Sequence, residues 1–122
     1  MGESLRVEEV SDALASAVEA VGTSLVRVEG RRGAPSSGVA WSEDVIVTAD
    51  HVVERDEDIA IGLPDGGSAR AQVAGRDPST DLAALRLSSA RLAPPQWTDL
   101  QGLKVGHLVL AVSRPGRTVS PA

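Results

Sequence analysis

The chain has 122 residues, 12 basic and 17 acidic, and a formal net charge of −5. The length suits one ordinary domain, and the acidic balance excludes the basic footprint of a nucleic-acid-binding protein. The sequence contains no cysteine, which excludes disulfides, thiol catalysis and cysteine-bound zinc. No membrane span is expected, because no apolar run approaches the roughly 20 residues that one needs. The acidic first residues lack the basic and apolar regions of a signal peptide.

Residues 1–22 are predicted to form an N-terminal segment with an amphipathic helix over residues 5–21. Glu8 and Glu9 lie near its start, where the helix dipole favours negative charge, and Gly22 is placed as a C-terminal stop. The apolar positions recur at intervals of three and four, which puts them on one helical stripe: Val7, Val10, Leu14, Val18 and Val21.

Residues 23–122 are predicted to form an all-β domain. The sequence has no Phe or Tyr, so its core must come mainly from Val, Leu, Ile and Ala, which in short Val-rich runs favour strands. Such runs predict seven strands, at residues 25–29, 38–41, 45–48, 59–63, 69–74, 82–87 and 108–112. We expect the second and third to form a hairpin. Many short strands between regular turn signals are typical of a barrel or a sandwich.

Two residues are candidates for chemistry, His51 and Asp81. His51 follows the apolar strand at residues 45–48, and side chains at strand ends are often aimed into a cleft. Asp81 follows the turn that begins at Asp77 and opens the next apolar strand. Taken singly, each also fits a structural role: a surface or capping histidine, and an aspartate that satisfies loop amides.

The two segments together resemble the trypsin-like serine proteases of the HtrA/Deg type. Residues 48–53 read Thr-Ala-Asp-His-Val-Val and residues 77–83 read Asp-Pro-Ser-Thr-Asp-Leu-Ala. In that family the histidine and aspartate lie about thirty residues apart in such segments, and here positions 51 and 81 are 30 apart. Three further segments match in the same order, at residues 37–39, 59–66 and 105–112. The predicted helix before the first strand also fits the family, so the resemblance extends from about residue 7 to 119.

The resemblance implies a six- to seven-stranded antiparallel Greek-key β-barrel, the first of two barrels, with the second barrel absent from these residues. It implies a triad in which His51 is the general base and Asp81 orients it, for hydrolysis of peptide bonds in a polypeptide substrate, without cofactor or metal. The family's serine lies in Gly-Asn-Ser-Gly-Gly, and no Gly-x-Ser-Gly-Gly occurs here. We therefore expect the N-terminal half of a serine endopeptidase, inactive alone. The family resemblance also suggests a periplasmic or extracellular location.

Other functions stay open. The chain could be a non-catalytic binding or scaffold module with a protease-like barrel, or a second polypeptide could supply the serine half. A barrel without its partner is expected to expose an apolar face and to self-associate through it.

A few single residues carry expectations of their own. Asp50 replaces a residue that is usually Ala in the family, and strand alternation predicts that its side chain points to solvent. His107 is predicted to be a surface or edge histidine. Trp41 is expected in the barrel core or at its edge, and Trp97 over the barrel or where a second barrel docks.

Overall fold

The computed structural model describes residues 6–121 of the chain. Helix α1 covers Val7–Gly22, close to the predicted span, whose first residue lies outside the described residues. The strands are β1 (Leu25–Glu29), β2 (Ser36–Ala40), β3 (Val45–Ala49), β4 (Ile59–Gly62), β5 (Ser68–Asp77), β6 (Leu82–Leu87), β7 (Val112–Ser113) and β8 (Ser120–Pro121).

Strands β1 to β6 close into a barrel in the order β1-β2-β3-β6-β5-β4, and all neighbours in it are antiparallel. The predicted all-β barrel is confirmed, and so is the hairpin of β2 and β3. The pairing of β3 with β6, which are distant in sequence, brings the two predicted site segments to one end of the barrel.

The barrel interior is filled by branched aliphatic side chains from β1, β3, β4 and β6, while β2 and β5 add the small residues Ala40, Ala69 and Ala71. Burial alternates along the strands because successive side chains point to opposite faces. Six of the largest are no more than 1% exposed and come from four strands: Val26, Val28, Ile46, Ile59, Ile61 and Leu85. The core therefore needs no aromatic residue, as the composition predicted.

The predicted seventh barrel strand, at residues 108–112, is wrong. Of these residues only Val112 lies in a strand, the short β7, which pairs with β8 outside the barrel. The pairing of β1 with β4 already closes the barrel, so no free edge remains for another strand. Leu108 and Val109 are consequently 70% and 69% exposed.

The β7–β8 hairpin is tied to the start of the barrel by one buried cation, Arg114, which is 7% exposed. Its Nη2 donates to the carbonyl of Gly22 at 2.8 Å and its Nε to that of Leu25 at 2.9 Å. The carbonyl of Gly22 belongs to the C-terminal end of α1, where the helix dipole favours positive charge. The guanidinium thereby holds helix, barrel and hairpin together.

Candidate active site

The barrel's strand pairing places the predicted site residues side by side. β3 ends at Ala49, which pairs with Leu82 at the start of β6. The residues just beyond, in a short 3₁₀ helix (Asp50–Val52) and in the β5–β6 turn, must therefore meet at this end of the barrel. The main-chain N–H of Asp50 donates to the carbonyl of Asp81 at 3.0 Å and continues the ladder past the strand ends.

The carboxylate of Asp81 contacts His51 at two points. Its Oδ1 accepts the main-chain N–H of His51 at 2.9 Å, and its Oδ2 lies 2.6 Å from ring Nδ1. An ionised carboxylate only accepts hydrogen bonds, so Nδ1 carries the proton that is shared with Asp81. In a neutral imidazole this assignment leaves the lone pair on Nε2. The arrangement is that of a base held in one tautomer by a carboxylate.

The backbone at Asp81 is in the left-handed region, with φ of 58°. Aspartate and asparagine adopt this region more readily than other residues with a β-carbon, but it remains uncommon. The hydrogen bonds from Asp50 and His51 hold the turn in place. Such backbone outliers cluster at functional sites, where the surrounding structure over-determines them.

Asp81 has a lowered pKa. The main cause is the hydrogen bond from the main-chain N–H of His51, and the second is the bond to its ring. Hydrogen bonds to the ionised form favour that form, so the carboxylate stays charged at neutral pH and can stabilise an imidazolium.

Asp77 stands apart from this pair. Its Oδ1 accepts from the main-chain N–H of Ser79 at 3.1 Å and from its hydroxyl at 2.6 Å. These contacts, together with Thr80, lower its pKa. Asp77 therefore closes the turn that presents Asp81, the structural role that its sequence position indicates.

The pair is open to solvent. The side chain of His51 is 64% exposed and that of Asp81 is 49% exposed. Proton transfer and charge stabilisation are far more effective in a site that excludes water. Residues 6–121 do not enclose the pair, which lies at the surface of one end of the barrel.

The expectation that Asp50 points to solvent is wrong. Its side chain is 16% exposed, and its Oδ1 accepts from Nη1 of Arg76 at 2.8 Å. Strand alternation failed because the chain leaves β3 at Ala49 and enters the 3₁₀ helix, where that rule no longer applies. Arg76 was not singled out from the sequence; the one signal was Gly75 inside a strand pattern, which is typical of a bulge.

Three other residues singled out from the sequence, His107, Trp41 and Trp97, make contacts that do not involve His51 or Asp81. His107 is exposed, as predicted, and its Nδ1 accepts the main-chain N–H of Lys104 at 2.8 Å. Trp41 is 58% exposed at the barrel edge, which excludes the core position that was one of its two expected places. It packs against Trp97 with 5.1 Å between ring centroids.

No cluster of three or more metal-ligating side chains is found among residues 6–121. Within the same range, no helix is both long and apolar enough to cross a bilayer.

A closed antiparallel barrel with a histidine–aspartate pair at one end is the architecture of the first barrel of a chymotrypsin-like peptidase. Comparison with protein families agrees, since residues 36–121 match the trypsin-like peptidase domain. The chain belongs to this family.

Curated relatives place the chain near the HtrA/Deg type. A probable periplasmic serine endoprotease DegP-like of Halomonas elongata is 34% identical over 71% of the chain and 18% of its own length. The DegP-like protein of Chlamydia pneumoniae is 40% identical over 57% of the chain and 14% of its own length. The serine endoprotease DegS of Haemophilus influenzae is 33% identical over 69% of the chain and 26% of its own length. The predicted kinship is confirmed, and the match spans about a quarter or less of each of these relatives.

Proposed function

We propose that this chain supplies the histidine and aspartate of a Ser-His-Asp triad in a serine endopeptidase that acts on polypeptides. The observation that carries the proposal is the two-point contact of the Asp81 carboxylate with the main chain and ring of His51. A histidine used only for packing or capping does not need a carboxylate that fixes both its position and its tautomer.

The chemistry follows from this geometry. Nε2 of His51 accepts the proton of a serine hydroxyl as the oxygen attacks the peptide carbonyl, because the hydroxyl alone is a poor nucleophile at neutral pH. Asp81 stabilises the imidazolium that forms, and Nε2 then donates the proton to the leaving amine. A water molecule enters the same cycle to release the acyl group, with Nε2 again as the base.

The serine and the oxyanion hole are not supplied by these 122 residues, which contain no Gly-x-Ser-Gly-Gly. The proposal therefore includes that the chain alone does not hydrolyse peptides. A second barrel supplies both groups and covers the exposed pair. The position of Leu82 supports an interface here, because this apolar side chain follows Asp81 directly and is 50% exposed. Leu82 also lines an apolar hollow on the adjoining barrel wall together with Val47 and Ala84.

The test combines the chain with the second barrel of an HtrA-type relative that carries Gly-Asn-Ser-Gly-Gly, either mixed or joined by a linker. We expect hydrolysis of a peptide substrate and labelling of the serine by a fluorophosphonate only in the combined protein. His51→Ala should abolish hydrolysis, whereas His107→Ala serves as the matched control and should leave it unchanged. A complex that is demonstrably formed but inactive would contradict the proposal and favour a binding module.

A further inference from the structure

Arg76 links the two segments that carry His51 and Asp81. It lies on β5, the first strand of the β5–β6 hairpin whose turn presents Asp81. Its guanidinium reaches across to the segment around His51 and donates five hydrogen bonds there. Nη1 donates to Asp50 Oδ1 and to the carbonyl of Val53, both at 2.8 Å. Nη2 donates to the carbonyl of Arg55 at 3.1 Å and to Asp56 Oδ1 at 3.0 Å. Nε donates to the same Asp56 oxygen at 3.3 Å.

A β-bulge gives Arg76 this direction. Val73 pairs with Leu85 and Gly75 with Ala84, so Ala74 is an extra residue in β5. An extra residue reverses the alternation of side chains beyond it. Before the bulge, Gln72 is opposite the exposed Arg86; after it, Arg76 is opposite Ala83, which is 2% exposed and faces the interior. Without the bulge, Arg76 would share the outward direction of Gln72 and could not reach the segment that carries His51.

The contacts bracket His51 on both sides. Asp50 directly precedes it and Val53 follows it by two residues, so Nη1 alone holds both ends of the short turn that carries the imidazole. The same contact keeps the Asp50 carboxylate, which is 16% exposed, paired with a cation. The hydrogen bond to Asp50 is also the main reason that the pKa of Arg76 is raised.

We infer that Arg76 is a positioning residue of the site, which fixes the turn around His51 against the hairpin that carries Asp81. The inference rests on the proposed function insofar as His51 is the base. The planar guanidinium suits this role because it donates in several directions from a rigid fork, which a lysine ammonium cannot reproduce.

The first test is made on the chain itself and needs no hydrolysis. Nitrogen NMR shifts of His51 report which ring nitrogen carries the proton in the neutral imidazole. We expect Arg76→Gln to reduce the Nδ1–H form that the Asp81 contact selects, and Arg76→Lys to do so partly. Arg86→Gln is the matched control: Arg86 is likewise paired with an aspartate, Asp44 at 2.9 Å, but at the opposite end of β3. It should leave the His51 spectrum unchanged.

The second test is made in the combined two-barrel enzyme. Arg76→Gln should lower kcat by up to about a hundredfold, the loss that a small misplacement of a catalytic group can cause, with little change in KM. If Arg76→Gln lowers thermal stability but leaves both the His51 tautomer and kcat unchanged, Arg76 acts only as a structural ion pair. That result would overturn the inference. If Arg76→Gln does not fold, Arg76→Lys decides by the same readouts.

Failure of the proposed function gives a different result. A parent combined enzyme that forms its complex but does not hydrolyse peptides would refute the role of His51 as a base. The NMR comparison of Arg76→Gln with Arg86→Gln would still show whether Arg76 positions the imidazole.

Discussion

Asp81 contacts His51 with both carboxylate oxygens, Oδ1 to the main-chain N–H at 2.9 Å and Oδ2 to ring Nδ1 at 2.6 Å. The main-chain contact restrains the plane of the carboxylate independently of the imidazole. Oδ2 is therefore directed toward ring Nδ1 without depending on the ring contact itself. Under the proposed function this contact preorganises the pair, since little reorganisation is then needed during the reaction.

Asp81→Asn should remove the charge and leave the backbone intact, because asparagine also tolerates the left-handed conformation at this position. An amide can donate to Nδ1, so we expect the imidazole to lose its Nδ1–H tautomer. In the combined enzyme kcat should fall by about 10⁴-fold, as expected when a triad loses the correct tautomer. Peptide hydrolysis and nitrogen NMR measure the two effects.

The matched control for this variant is Asp77→Asn. Asp77 lies in the same turn but contacts Ser79 rather than His51, and the asparagine oxygen can still accept from Ser79. An equal loss of kcat in both variants would show that the turn, and not the Asp81 charge, is what matters.

Acid should weaken the fold partly through Asp81. The pKa of Asp81 is lowered in the folded chain, so its contribution to stability is fully present above the ordinary aspartate pKa of about 3.9 and is lost as the pH falls through the folded value. We therefore expect Asp81→Asn to be less stable than the parent at neutral pH and the difference to vanish in acid. Urea midpoints from pH 7 down to about 2 measure this; a difference that does not depend on pH would contradict it.

Gly38 is required by close packing between β2 and the barrel core. A β-carbon there would lie 2.5 Å from Cγ2 of Ile46 and 3.1 Å from Cγ2 of Val28. Gly38→Ala should therefore lower the free energy of unfolding by about 1–3 kcal/mol through overpacking. Gly116→Ala is the control, since no heavy atom lies within 4 Å of its added carbon. Similar urea midpoints for the two variants would show that the barrel absorbs the methyl group.

The barrel could be predicted because its signals are local. The runs that became β1 and β5 alternate apolar with polar residues over strand-length segments, which determines the buried face. Short, nearly continuous apolar runs next to turn residues predict β3 and β6. Their pairing also determines that His51 and Asp81 meet. The strand predicted at residues 108–112 is wrong because an apolar run has the same pattern whether or not a free strand edge exists. The availability of an edge depends on the closure of the whole barrel, which the pairing of β1 with β4 completes.

The contacts around the pair were less accessible from the sequence. The direction of the Arg76 side chain toward the segment around His51 depends on one extra residue in β5, and the only trace of that residue in the sequence is Gly75. Strand alternation predicts an outward side chain for Asp50, but a 3₁₀ helix begins at that residue and ends the alternation. Both features depend on how a strand ends, which side-chain periodicity does not encode.

The exposed apolar segment is expected to cause self-association of the chain. Leu108 and Val109 are largely exposed, and with Leu14 and Val21 of α1 they line a hollow of about 520 Å³. Burying one leucine contributes about 1.5–3 kcal/mol, so Leu108→Glu should weaken self-association by tenfold or more. Sedimentation over a range of concentrations should show the mass of the parent rising and that of the variant staying monomeric.

Thr98→Glu is the matched control for that variant, because it adds the same charge at another exposed position between β6 and β7. It should associate like the parent, since it removes no apolar surface. Equal weakening by both glutamates would show that charge repulsion and not the apolar surface controls the mass. A parent that stays monomeric at every concentration would refute the contact itself, and the second barrel or another partner would then be the occupant to test.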